Sequence, residues 1–188
     1  DGSKDNSWLE IENQCRVNKN VRGIKLSKNF GQHYAITAGL NHVNGSHIIV
    51  MDCDLQDNPK YIKDLFYKSE EGFEVVFASK NKRNHGIIKN LFSYLFYKVF
   101  NSLKDDDVKS LDDSIGAFCL IKRKVVNLYC SLNEYHISFT ALIKWLGFPT
   151  ATIKIDHDKR LLGESTYNFR KSIILGINTI VSNSDKLL

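Results

Sequence analysis

At 188 residues, 43% of them hydrophobic and only two of them proline, the chain is long enough for one sizeable core and too short for two, so a single domain over residues 1–188 is expected. Its four cysteines, Cys15, Cys53, Cys119 and Cys130, lack C-x-x-C spacing, which excludes a zinc ribbon or a disulfide-stapled scaffold and predicts reduced thiols in a cytosolic setting. The net charge of +5 comes with no recognition helix, zinc finger or ribonucleoprotein signature, so no nucleic-acid partner is expected; a basic surface facing phosphates or an anionic membrane is.

No signal-peptide pattern opens the chain, and its apolar runs fall short of the roughly 18 residues that span a bilayer. Asp1-Gly2-Ser3 is a turn signature rather than a leader, and with Met51 the only methionine, further residues are expected upstream. NSWLEIENQCRVN (6–18) reads as a helix, VRGIKLS (21–27) as a strand and QHYAITAGLNHV (32–43) as a helix, with a glycine-bearing KNFGQ turn before the last. SHIIVMD (46–52) reads as a strand. PKYIKDLFYKSEEG (59–72) reads as a helix with proline in its first position, where the missing N–H costs nothing. FEVVFAS (73–79), GAFCLIKR (116–123) and ATIKIDH (151–157) read as further strands, and VVNLYCSL (125–132) as a helix. The alternation predicts an α/β fold on a mostly parallel mixed sheet flanked by helices.

Two later segments suit a membrane surface. Residues 87–103, IIKNLFSYLFYKVFNSL, carry Ile88, Leu91, Phe92, Leu95 and Val99 at helical period, widened by Phe96, Tyr97 and Phe100 and bordered by Lys89, Lys98 and Lys104. The stretch near 168–182 repeats the theme. Burial against the sheet or against a second copy satisfies the same periodicity, which leaves a homo-oligomer open.

The stretch VMDCDLQDNP (50–59) places Asp52, Asp54 and Asp57 in a loop leaving the carboxyl end of a strand, where open α/β sheets bind their ligands. Asp52 and Asp54 are two apart, so in an extended backbone they project to one side. Paired carboxylates suit a hard cation, Mg2+ or Mn2+, above all where phosphate oxygens complete its shell. The plainer reading is turn decoration and helix capping, which Asp57 suits. The six histidines show no metal-ligand spacing, and neither a G-x-S-x-G nor a Walker-type loop is present.

MDCDLQDNPKYI resembles the signature of family-two inverting glycosyltransferases with a GT-A (Rossmann-like, nucleotide-diphospho-sugar transferase) fold, in the branch that acts on dolichyl and undecaprenyl phosphate. DGS at residues 1–3 is similar to the end of that family's nucleotide-binding turn. LSKNFGQHYAITAGLNHVNGSHIIVMDCDLQD, FTALIKWLGF and HDKRLLGESTYNFRK resemble further segments in the same order, so nearly the whole chain is covered. The resemblance implies that the family's first strand is missing here, and that sugar passes with inversion from a nucleotide-diphosphate sugar, expected to be a UDP-sugar, to a polyprenyl phosphate at the cytoplasmic face of a membrane.

It also implies site residues. Asp54 would be the principal metal ligand, with Asp52 nearer the ribose or sugar, Gln56 at the metal or diphosphate, Asp1 at the nucleoside, and Lys28, Asn29 and Gly31 in a second donor loop. Lys80, Arg83 and Lys89 fall near positions where related enzymes set cations against the lipid phosphate, and Arg160, Ser165 and Tyr167, with Gly163, would add to that group. The chain departs from the pattern where bacterial polyprenyl-phosphate enzymes read GDFRL. Here GAFCL puts Ala117 and Cys119 in place of the aspartate and arginine, which leaves the catalytic base unassigned, with Asp112 and Asp113 as candidates. A lipid phosphate is already ionised and relaxes the need for a base. Two other readings stay open, a transferase extending a cell-surface glycan on a sugar hydroxyl and an inactive relative that binds nucleotide sugar.

Overall fold

Among the described residues, four strands pair into one sheet. The computed structural model describes residues 1–54, 56–80, 115–132 and 138–156, which fall into two compact units, Asp1–Asn44 and Gly45–Leu188. The two expected amphipathic helices, near 87–103 and 168–182, lie outside the described residues.

In the first unit, helix α1 (Ser7–Val17) and helix α2 (Gln32–Leu40) form where expected. Residues 21–27 do not form the expected strand; among the described residues they pair with no other strand. The segment instead passes close to α1 at Gly23, where a Cβ would come within 2.7 Å of Ile11 Cγ2 and 3.2 Å of the Trp8 ring. Most of the segment stays exposed, with Val21 and Leu26 alone half-buried, so its apolar alternation does not mark a strand with one buried face.

The second unit runs β1 (His47–Val50), a single 3-10 turn (Pro59–Tyr61) continuing into α3 (Ile62–Glu70), β2 (Val75–Lys80), β3 (Ile115–Lys122), α4 (Arg123–Ser131), α5 (Phe139–Trp145) and β4 (Thr150–Ile155). The sheet order is β1-β3-β2-β4. β3 runs antiparallel to both β1 and β2, and β4 runs parallel to β2, so three of the four strands point one way with β3 reversed between them. The sheet is mixed, as expected. Helix α5 is absent from the expected elements, because seven residues, FTALIKW, are too few to display a period.

Both faces of the sheet are covered. Val76 and Ala78 of β2, with Phe118 and Leu120 of β3 and Ile155 of β4, pack with Leu65 of α3. The alternate residues Val75, Phe77, Cys119 and Ile121 are equally buried and face the other way, where Val125 and Val126 of α4 and Phe139, Leu142 and Ile143 of α5 are buried. The Lys144 ammonium of α5 lies 5.7 Å from the Phe77 ring, and Tyr129 and Phe139 meet edge to face at 5.6 Å, locking α4 to α5. Strands buried on both faces need continuous apolar runs, which is why VVFA and FCLI lack alternation.

The ladder between β2 and β3 is irregular at one end. Between the pairs Phe77↔Cys119 and Ser79↔Ile115, β2 advances by two residues and β3 by four, so Gly116, Ala117 and Phe118 bulge opposite Ala78 alone.

Candidate functional site

β1, β2 and β4 run in one direction, so their carboxyl ends share one edge of the sheet, and β3 begins at that same edge. The acidic loop leaves β1 there and returns as the turn that starts α3. Met51 and Cys53 are exposed whereas Asp52 and Asp54 are half-buried, the alternation their spacing predicts. Asp54 Oδ1 accepts the Gln56 backbone N–H at 3.2 Å, an Asx turn that brings Gln56 back towards the carboxylate.

Asp57 does not cap the helix as expected. The cap is Asn58, whose side chain accepts the Lys60 N–H at 3.0 Å while Pro59 takes the first helical position. With capping already provided by its neighbour, Asp57 turns inward until it is only 1% exposed, and it pairs with Lys80 at the end of β2, whose Nζ lies 3.5 Å from Oδ1. Lys80 is 28% exposed and lies beside the β3 bulge, its Cε and Nζ 3.6 Å from where a Cβ on Gly116 would stand. The sequence carries no signal for this pair, since aspartate and asparagine cap helices about equally well.

Among the described residues, no three side chains of His, Cys, Asp or Glu gather into a group able to hold a cation by themselves. Asp52 and Asp54 are hard oxygen donors, half-exposed at the carboxyl edge of the sheet, and so would fit Mg2+ or Mn2+ as part of a shell that needs further oxygen donors.

The first unit brings together the other expected donor-loop residues. The Asp1 carboxylate accepts the Phe30 N–H at 2.8 Å through Oδ1 and the Gly31 N–H at 3.0 Å through Oδ2, and the Asn29 side chain donates to the Asp1 carbonyl at 3.1 Å. Gly31 has φ 101° and ψ 163°, a conformation that only glycine adopts readily. Lys28 stands over the Phe30 ring at 5.0 Å. A cleft of about 620 Å³ also opens in this unit beside Trp8, Cys15 and His42, but none of the expected site residues lines it.

At the GAFCL segment, Ala117 is half-buried and Cys119 fully buried, and burial pushes the Cys119 thiol far above its ordinary range. All four cysteines are free. Arg83, Lys89, Asp112, Asp113, Arg160, Gly163, Ser165 and Tyr167 lie outside the described residues. Among the described residues no helix is long and apolar enough to cross a membrane.

Three relatives illustrate the similarity. The uncharacterised glycosyltransferase YkcC of Bacillus subtilis is 34% identical over 100% of this chain and 58% of its own. The undecaprenyl-phosphate 4-deoxy-4-formamido-L-arabinose transferase of Shewanella sediminis is 33% identical over 97% of this chain and 54% of its own, and the bactoprenol glucosyl transferase of Shigella phage SfV is 30% identical over 98% and 59%. The chain thus spans a little over half the length of the curated relatives it matches. Residues 1–129 match the family model described as glycosyl transferase family 2, a stretch that contains the Asn29–Gly31 turn, the acidic loop and the strand it leaves. With sheet and match in agreement, the chain belongs to glycosyl transferase family 2 and its fold is GT-A.

Proposed function

We propose that the protein is an inverting glycosyltransferase that moves a sugar from a nucleotide-diphosphate sugar, a UDP-sugar in the first instance, to a polyprenyl phosphate at the cytoplasmic face of a membrane. The observation that carries the reading is the acidic loop, with half-buried Asp52 and Asp54 at the carboxyl edge of the sheet. In this reading Asp54 and Asp52 hold Mg2+ or Mn2+ with help from Gln56, and the donor's diphosphate completes the shell. The bound cation would stabilise the departing nucleoside diphosphate as a Lewis acid. Within the first unit, Asp1 fixes the backbone of the Asn29–Gly31 turn; that turn, with Lys28, is assigned to the nucleotide on the family resemblance.

The acceptor assignment rests on two supports. Two relatives are named for undecaprenyl phosphate and bactoprenol. In addition, Ala117 has no ionisable side chain and Cys119 is buried with its thiol held protonated, so neither deprotonates a sugar hydroxyl, whereas a phosphate arrives already anionic. Lys80, and beyond the described residues Arg83, Lys89, Arg160, Ser165 and Tyr167, are assigned to that phosphate.

The test is to incubate the protein in detergent with a panel of nucleotide sugars, Mg2+ or Mn2+, and undecaprenyl phosphate, following nucleoside diphosphate release and the anomeric configuration of the product. Release that depends on the lipid phosphate, with inverted product, is expected. Turnover that ignores the lipid and needs an oligosaccharide would overturn the acceptor, and undiminished turnover in Asp54→Ala would overturn the metal role.

A further inference from the structure

We propose that Asp57 is a positioning residue whose buried carboxylate holds the Lys80 ammonium at the ligand-binding edge of the sheet, where that ammonium takes a phosphate oxygen of a bound ligand. The inference rests on the phosphate-handling function proposed above and adds to it a residue outside the metal-binding and phosphate-binding sets. A carboxylate that is 1% exposed is costly to keep charged unless a cation compensates it, and Lys80 supplies that cation at 3.5 Å. The pair is asymmetric. Asp57 is enclosed, whereas Lys80 keeps 28% of its side chain exposed at the end of β2.

An ammonium has three N–H donors, and one carboxylate oxygen at 3.5 Å engages at most one of them well. The others are available to a ligand at the edge. The lysine stem runs beside the bulge in β3, where the missing Cβ of Gly116 leaves it room: a Cβ there would stand 3.6 Å from its Cε and Nζ. A free lysine loses much of its rotamer entropy when it binds, and one already held by Asp57 has less to lose. Asp57 also belongs to the loop that carries Asp52 and Asp54, so one ion pair ties that loop to the end of β2.

The test is a double-mutant cycle on the purified protein with Asp57→Asn, Lys80→Met and both together, read by calorimetric titration. One arm uses UDP with Mg2+, the other a short polyprenyl phosphate, so the source of the phosphate is identified by the arm that responds. A charge-assisted hydrogen bond corresponds to about a 10- to 100-fold change in affinity, and Lys80→Met should weaken one ligand by that order. Asp57→Asn should weaken the same ligand by a large part of that factor, and should add nothing once Lys80 is methionine. Lys80→Arg, which keeps the cation, should restore much of the binding. An Asp57→Asn effect that is equally large in both backgrounds, or no effect in either arm, overturns the proposal while leaving the proposed function standing. Wild-type protein that binds neither ligand overturns both. Should Asp57→Asn fail to fold by circular dichroism, Asp57→Glu decides, because it keeps the charge but moves the anchor by one methylene; wild-type affinity in that variant overturns the positioning role.

Discussion

The Tyr61 hydroxyl accepts the backbone N–H of Asp156 at 3.1 Å and lies 3.4 Å from its Oδ2, joining the first turn before α3 to the residue after β4 across 95 positions of sequence. The ring packs against the core cluster around Leu65 and Ile155, so the hydroxyl is delivered to the sheet edge by an apolar body. Tyr61→Phe keeps that packing and removes only the link. Because the bond is exposed and water can replace it, a loss of about 0.5–1 kcal/mol is expected, measured by urea denaturation.

Gly31 opens α2 at φ 101° with nothing within 4 Å of a built Cβ, so the cost of Gly31→Ala is conformational rather than steric. The substitution should destabilise by about 1–3 kcal/mol or force the turn to relax and release the Asp1 carboxylate. Either outcome should weaken UDP binding, read by titration beside the denaturation curve.

Cys53 is exposed between Asp52 and Asp54, whereas Cys119 is fully buried with its thiol pushed up by burial. Iodoacetamide should therefore modify Cys53 in the native protein and Cys119 only after unfolding, as peptide mass spectrometry would reveal. If the acidic loop holds a cation and a diphosphate, UDP with Mg2+ should slow Cys53 labelling several-fold. Unchanged labelling at saturating UDP would argue against a ligand over the loop.

Burial lowers the His33 imidazole below its ordinary value of 6.5. The unfolded chain therefore takes up its proton at a higher pH than the folded one. The stability this residue contributes is whole above the unfolded value and is lost as pH falls from there towards the lowered folded value. Urea midpoints measured from about pH 8 down to about pH 5 should decline through that window, and His33→Gln should flatten the decline.

Much of this fold is legible in sequence because strands buried on both faces must be apolar throughout, and VVFA and FCLI satisfy nothing else so well. The helix start at Asn58-Pro59 is equally plain, since capping is settled by residues one or two apart. Three features are not. The reversal of β3 depends on where a distant strand docks, residues 21–27 lie against a helix rather than a strand, and the Asp57–Lys80 pair joins positions whose proximity exists only in the assembled sheet. Asp52, Asp54 and Gln56 can be proposed from their motif. Asp57, in the same motif, cannot be told from a cap until its burial is known.

The surplus in β3 is two residues, an even number, so the inside-outside sense of the strand is the same before and after the bulge. Phe118, although within the bulge, still packs in the core cluster. The GAFCL segment thus carries its surplus length at the end of the strand while the hydrophobic layer behind it stays covered.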